Sequence, residues 1–171
     1  VNLSYLWGSY SRSVVNSYTD SNINTLSKYY SASVNNYKLD FGVQQVLPIS
    51  KKDKLTIGLS YSLGHKLHSN PECKLITTNS QTYVSDTTAL RAKNALELPS
   101  TYGAGLAWNH DNKLKVGLDY SLQTWGKTVS PVYSMVNDQP QYTVQKGMYN
   151  DRHKFTLGTE WCPDEGGRNF F

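Results

Sequence analysis

Leu55, Ile57, Leu59, Tyr61 and Leu63 alternate with Thr56, Gly58, Ser60, Ser62 and Gly64. Period-two alternation marks a β-strand with one apolar and one polar face. The pattern recurs at 37–47, where Tyr37, Leu39, Phe41, Val43 and Leu47 oppose Lys38, Asp40, Gly42 and Gln44. It returns at 101–108 (Tyr102, Ala104, Leu106, Trp108), at 114–123 (Leu114, Val116, Leu118, Tyr120, Leu122) and at 154–161 (Phe155, Leu157, Trp161). Three of these runs share a template of Lys, apolar, any, apolar, Gly and a later aromatic, spanning Lys54–Tyr61, Lys113–Tyr120 and Lys154–Trp161. The repeat is too unevenly spaced for a solenoid or propeller. The alternation predicts antiparallel strands near 37–47, 54–66, 100–109, 113–125 and 152–161, paired in chain order, with no helix beyond a turn or two. The opening "LSYLWGSY" is also strand-like, with less clean faces.

What the apolar face meets is decided by the connections. Short turns rich in Pro, Gly, Asn and Asp stand at 48–53, 109–112 and 162–167, while long polar segments stand at 15–36, 66–99 and 126–151. Short and long alternate strictly. Compact soluble domains seldom carry structureless loops beyond ~12–15 residues, whereas outer-membrane barrels have short turns at one end and long loops at the other. Runs of about 9–11 residues suit a tilted strand crossing a bilayer. Trp7, Tyr37, Tyr102, Trp108, Trp125 and Trp161 lie near strand ends, where interfacial girdles form. The expected fold is therefore all-β, an antiparallel up-and-down sheet forming part of a transmembrane β-barrel of the outer membrane. Ile57, Leu59, Leu118 and Leu157 would face lipid, and Gly58, Ser60, Asp119 and Glu160 the lumen. A soluble sheet packed on a core gives the same alternation and is the competing reading.

Composition adds limits. The chain has 171 residues, 13 of them Tyr and four Trp, a mixture that suits strands and polar loops. Mean hydropathy is −0.54, and no run approaches the ~20 continuous apolar residues of a transmembrane helix. The net charge of +4 is scattered without a basic run, as on a solvated surface, so no nucleic-acid partner is expected. The N-terminus lacks the charged region, apolar core and cleavage site of a signal peptide, as a mature form or an excised segment would.

Residues 98–127, "LPSTYGAGLAWNHDNKLKVGLDYSLQTWGK", resemble the FadL/TodX outer-membrane transport proteins. Pro99, Tyr102, Gly103, Gly105, Gly117, Asp119, Tyr120 and Trp125 match that family's "P-x-x-Y-G-x-G", "G-x-D-Y" and "W" positions. Asp151, Gly158, Glu160 and Trp161 match its following strand, with His153 in place of the usual Trp. The phrase "LDFGVQQVLPISKKDKLTIGLSYS" looks like an earlier hairpin of a Bacteroidetes-like member, so the resemblance covers about 37–165. It implies passive transport of long-chain fatty acids or other hydrophobic small molecules through a fourteen-stranded barrel closed by an N-terminal hatch. It also implies the outer membrane of a Gram-negative bacterium, with membrane lipid and a hydrophobic ligand as partners. About six or seven strands are countable and no hatch signature stands at the N-terminus. Residues 1–171 are therefore expected to be a single barrel segment, with the hatch and remaining strands absent. Gly167 and Asn169 break the alternation that a C-terminal barrel signal needs before the final Phe pair, which agrees with truncation.

Chemical motifs are sparse. Cys73 falls in an outer loop and Cys162 in a turn at the other membrane face, too far apart for a disulfide. His65 and His68 with Glu72 form a weak metal motif, better read as loop polarity. Asp151 and His153 lack any nucleophile setting such as Gly-x-Ser-x-Gly. No enzymatic activity, cofactor or metal is expected. Asp119, Glu160, Lys115 and Ser60 are the candidate lumen-facing ligand contacts, sharing a face with Lys38, Asp40 and Lys154. On the plainer reading these charges merely neutralise one another. Two alternatives to transport stand: a structural or scaffold barrel in a surface or secretion complex, and a soluble β-sheet binding domain.

Overall fold

The structure, a computed structural model, describes residues 1–20 and 22–162. The expected turn at 162–167 and the terminal Phe pair lie outside the described residues, apart from Cys162 itself. Among the described residues ten strands form: β1 (Asn2–Asn16), β2 (Thr25–Pro48), β3 (Asp53–Ser62), β4 (Glu72–Thr78), β5 (Ser85–Arg91), β6 (Thr101–His110), β7 (Leu114–Gln123), β8 (Val129–Val136), β9 (Gln139–Lys146) and β10 (Arg152–Trp161). The one helical turn among the described residues is the 3-10 turn Trp125–Lys127.

β1, β2, β3, β6, β7 and β10 pair antiparallel in that order, each with its chain neighbour in the series. The sheet curls into a half-barrel. Because the strands run up and down, residues 17–24, 63–100 and 124–151 connect them at one end and 49–52 and 111–113 at the other. The short turns are built locally. Ser50 Oγ accepts the amides of Lys52 and Asp53 and donates to Asp53 Oδ2 at 2.7 Å. Asp111 and Asn112 both take left-handed φ values (53° and 55°), the geometry of a tight turn that matches strand twist.

The expected strands are present with ends shifted by a few residues, except at β2. That strand starts at Thr25, twelve residues before the expected start at Tyr37, and most of the expected 15–36 loop is strand. Residues 26–40 of β2 pair with β1 along one edge. Along the other, 40–48 pair with β3 and 25–31 with β4. The neighbours are thus staggered along β2, as closing a tilted sheet requires. The upper half of β2 projects beyond β3, so its outward positions, such as Ser31 and Ser33, are small and polar and the two-residue hydrophobic period disappears.

Two hairpins fill the long connections. β4–β5 adds to the projecting half of β2, and β8–β9 packs against β5. Their core joins Cys73, Leu75, Ala92, Ala95 and Tyr142, with Tyr30, Leu90 and Tyr133 against it. This is where the buried core sits. The main sheet leaves both faces largely open, and Leu59, Leu106, Leu118, Phe155, Leu157 and Trp161 are all exposed.

Candidate functional site

Residues paired across antiparallel strands share a face, so the registers sort the sheet completely. One face carries the rows Phe41–Tyr61–Tyr102–Leu122–His153, Val43–Leu59–Ala104–Tyr120–Phe155 and Gln45–Ile57–Leu106–Leu118–Leu157. Leu3, Tyr5 and Trp7 of β1 extend it opposite Leu39, Tyr37 and Asn35. Above Trp7 the same face turns to Ser9, Ser11 and Ser13. Trp7, Tyr37, Tyr102, Trp108 and Trp161 lie on this face and are exposed. Trp125 does not join them: it sits half-buried in the 3-10 turn above β7.

The opposite face carries Gly42–Ser60–Gly103–Ser121–Lys154 and Gln44–Gly58–Gly105–Asp119–Thr156. Its centre is a groove of about 500 Å³. Two of its glycines lie beneath polar side chains of the neighbouring strands. A Cβ at Gly103 would lie 2.3 Å from Ser60 Oγ, and one at Gly105 2.3 Å from Asp119 Oδ1, so a larger residue at either place would make that side chain turn aside while the strand backbones stay clear. Ser60, Lys115, Asp119 and Glu160 all stand on this polar face, as their sequence parity requires. They are not one cluster. Lys115 pairs with Glu160 across β7–β10 at 3.2 Å, and Lys38 with Asp40 at 2.7 Å, so these charges neutralise one another. Asp119 has no ion-pair or hydrogen-bond partner among the described residues.

The minor motifs resolve into structural contacts. His65 stacks on Tyr37 at 4.5 Å between centroids. Glu72 takes Arg91 Nε at 2.7 Å and Lys74 at 3.3 Å, contacts that hold its carboxyl below the usual range. Asp151 accepts the Gly126 amide, and His153 Nδ1 meets the Tyr120 hydroxyl at 2.9 Å. Cys73 is buried in the hairpin core and Cys162 follows β10 at the short-turn end, on opposite ends of the sheet.

The long connections hold what the alternation missed. A cleft of about 530 Å³ opens between the segment before β6 and the connection from β7 to β10. Leu96, Glu97, Trp125, Val129, Ser130 and Tyr149 contribute to its walls. Glu97 Oε2 accepts the Val129 amide at 3.0 Å, and Ser130 Oγ meets the Tyr149 hydroxyl at 3.2 Å. One signal for this region was readable. Asn137-Asp138 is a two-residue turn between alternating runs, and both residues take left-handed φ (49° and 58°).

No curated protein and no solved structure matches the chain. The model of the BamG family matches residues 1–170. That finding overturns the resemblance to FadL/TodX transporters, and with it fatty-acid transport. As binding partners, the outer-membrane lipid and hydrophobic small molecule that resemblance implied fall with it. The physical reason is visible in the matched residues. Gly103 and Gly105 lie beneath the side chains of Ser60 and Asp119 on the polar face, and Tyr102 belongs to the aromatic row of the apolar face. Such a pattern reports a curled antiparallel sheet rather than a cargo. The two central polar rows also carry no apolar side chain that would favour an acyl chain. By the match along its length, the chain belongs to the BamG family.

Proposed function

We propose that this protein is a non-enzymatic, barrel-type subunit of the outer-membrane protein assembly (Bam) complex, acting through contacts with other proteins. The observation that carries the reading is the family match over residues 1–170, whose name points to that complex. It favours the scaffold alternative over transport. The sheet supports an outer-membrane setting. Its apolar face is continuous over β2, β3, β6, β7 and β10 yet exposed. An exposed apolar surface of this extent marks a membrane or protein contact. In a bilayer it would meet acyl chains, with Trp108 and Trp161 at one interface and Trp7 and Tyr37 at the other. The two hairpins would stand beyond the membrane on the long-loop side, and the polar groove would line the barrel interior. Lys115, Glu160, Asp119 and Ser60 then serve as lumen lining rather than as a transport site.

The test is co-purification from native membranes. A tagged copy extracted in mild detergent should elute with the Bam complex, fractionate with the outer membrane and migrate differently in gels when unheated. Recovery as a soluble protein, or from membranes without that complex, overturns the reading.

A further inference from the structure

We propose that the cleft walled by Leu96, Glu97, Trp125, Val129 and Tyr149 binds a lysine or arginine side chain of a protein partner, an inference that rests on the assembly-subunit reading for its partner class. The cleft, about 530 Å³, has the size of small-ligand sites, which run ~300–1,000 Å³. Its walls come from two separate connections, residues 96–97 and 125–150: the Val129 amide donates to Glu97 Oε2 and joins them, and the Gly126 amide donates to Asp151 Oδ1 and ties the two ends of the second connection to each other. The site is therefore preformed.

Its chemistry selects for positive charge. Glu97 lines the cleft and Asp151 adjoins it beside Asn150. Neither carboxylate is in an ion pair among the described residues, so neither charge is already neutralised by a cation of the chain. Trp125 and Tyr149 lie edge to face, with centroids 6.2 Å apart and planes at 75°. Indole and phenol faces attract a cation within ~6 Å of the ring centroid. Leu96 and Val129 supply an apolar wall on which the methylene stem of a lysine or arginine can lie while its head reaches the carboxylate. That aliphatic wall favours an amino-acid side chain over a choline headgroup or a protonated aminosugar, which have no such stem. The other Trp residues of the described chain, at positions 7, 108 and 161, lie on the apolar face of the sheet, so Trp125 is set apart for a different contact.

The experiment uses the full chain purified in detergent, with N-acetyl-arginine amide as the probe and its neutral isostere N-acetyl-citrulline amide as control. Intrinsic fluorescence should change saturably with the arginine probe, and the change should vanish in Trp125→Phe. Citrulline should bind about tenfold weaker or less. Glu97→Gln keeps an acceptor for the Val129 amide but removes the charge, and should weaken the arginine probe by about tenfold. Tyr149→Ala should weaken it as well. Equal binding of citrulline, or unchanged binding in Glu97→Gln, overturns the proposal. Tighter binding of choline or glucosamine than of arginine overturns the peptide occupant. Failure of the broader reading shows separately: arginine binding by a chain that does not co-purify with the Bam complex leaves the cation site standing and removes the assembly role.

Discussion

Leu106 on β6 and Leu118 on β7 stand directly opposite each other in the sheet, and each is 48% exposed. A leucine pair in a sealed protein core would be buried. Here each pair continues into the next, Leu118 into Leu157, without a layer of protein above it. If lipid covers this face, a spin label at Leu118 should be relaxed by oxygen, and one at Thr156 by a water-soluble nickel reagent. Equal protection from both reagents at Leu118 would mean a protein cover instead.

A second prediction compares adjacent residues of β10 at the same depth. Leu157 lies on the apolar face and Thr156 on the polar face opposite Asp119. Leu157→Arg should cost about 2–4 kcal/mol in a membrane barrel, and Thr156→Arg much less because the interior is polar. Refolding into vesicles, followed by urea titration, measures the difference. Equal costs would contradict the sidedness.

The part of the fold legible in the sequence was the part governed by a two-residue period. Each strand from β3 to β10 in the main sheet alternates because one side meets Gly, Ser and charge and the other meets Leu and Tyr. The strict alternation of short and long connections followed from up-and-down topology. The upper half of β2 was illegible because both its faces leave the apolar band, so Ser27, Ser31 and Ser33 carry no period. β4–β5 and β8–β9 were illegible for a related reason: they bury one small shared core around Cys73 and Tyr142, not a face along each strand. Parity alone puts Ser60, Lys115, Asp119 and Glu160 on one shared face, but parity says nothing of what that face meets or of partners and ligands. Trp125 was assigned to a girdle from its position near a strand end, whereas the 3-10 turn carries it into the cleft. Family membership was misjudged because glycine-aromatic spacing records sheet curvature, which different barrels share.

Glycine positions separate packing from curvature. At Gly64 a Cβ would fall 2.3 Å from the Ser100 amide nitrogen and 2.7 Å from the Pro99 carbonyl carbon, both backbone atoms that cannot swing aside. At Gly158 nothing lies within 4 Å. Gly64→Ala should therefore destabilise by about 1–3 kcal/mol, while Gly158→Ala should be neutral or slightly stabilising because alanine reduces unfolded-chain entropy. Denaturant midpoints of the two variants give the comparison. A neutral Gly64→Ala would show that the β3 and β6 ends are not packed as described.

Acid should loosen the β4–β5 hairpin. Glu72 has its carboxyl held low by the hydrogen bond from Arg91 first and by Lys74 second. A depressed carboxyl stabilises the fold above its unfolded value, near 4.3, and that contribution is lost as pH falls through the lower folded value. The protection factors of amides in 72–91, which divide out the intrinsic pH dependence of exchange, should fall across that acid window, and Glu72→Gln should remove that fall while lowering protection at neutral pH. An identical acid profile in Glu72→Gln would exclude the ion pairs as its cause.

The two cysteines report on the two ends of the molecule. Cys73 is fully buried between β2 and β5, with its thiol pKa pushed up by that burial, while Cys162 is exposed after β10 at the short-turn end. Thiolate is the reactive form, so burial protects Cys73 twice, by access and by protonation. A maleimide at neutral pH should modify Cys162 within minutes and Cys73 only when the hairpins open. Leu75 belongs to the same core, and Leu75→Ala should remove about 2–5 kcal/mol of local stability. Each ~1.4 kcal/mol is a factor of ten in the open population. Cys73 labelling should therefore speed up by one order of magnitude or more in Leu75→Ala, with Cys162 unchanged. Mass spectrometry of the labelled peptides separates the two sites. Equal rates at both cysteines in the unmodified chain would mean that the hairpins do not form a packed cap, and parallel acceleration at both would mean that cap and sheet open as one unit.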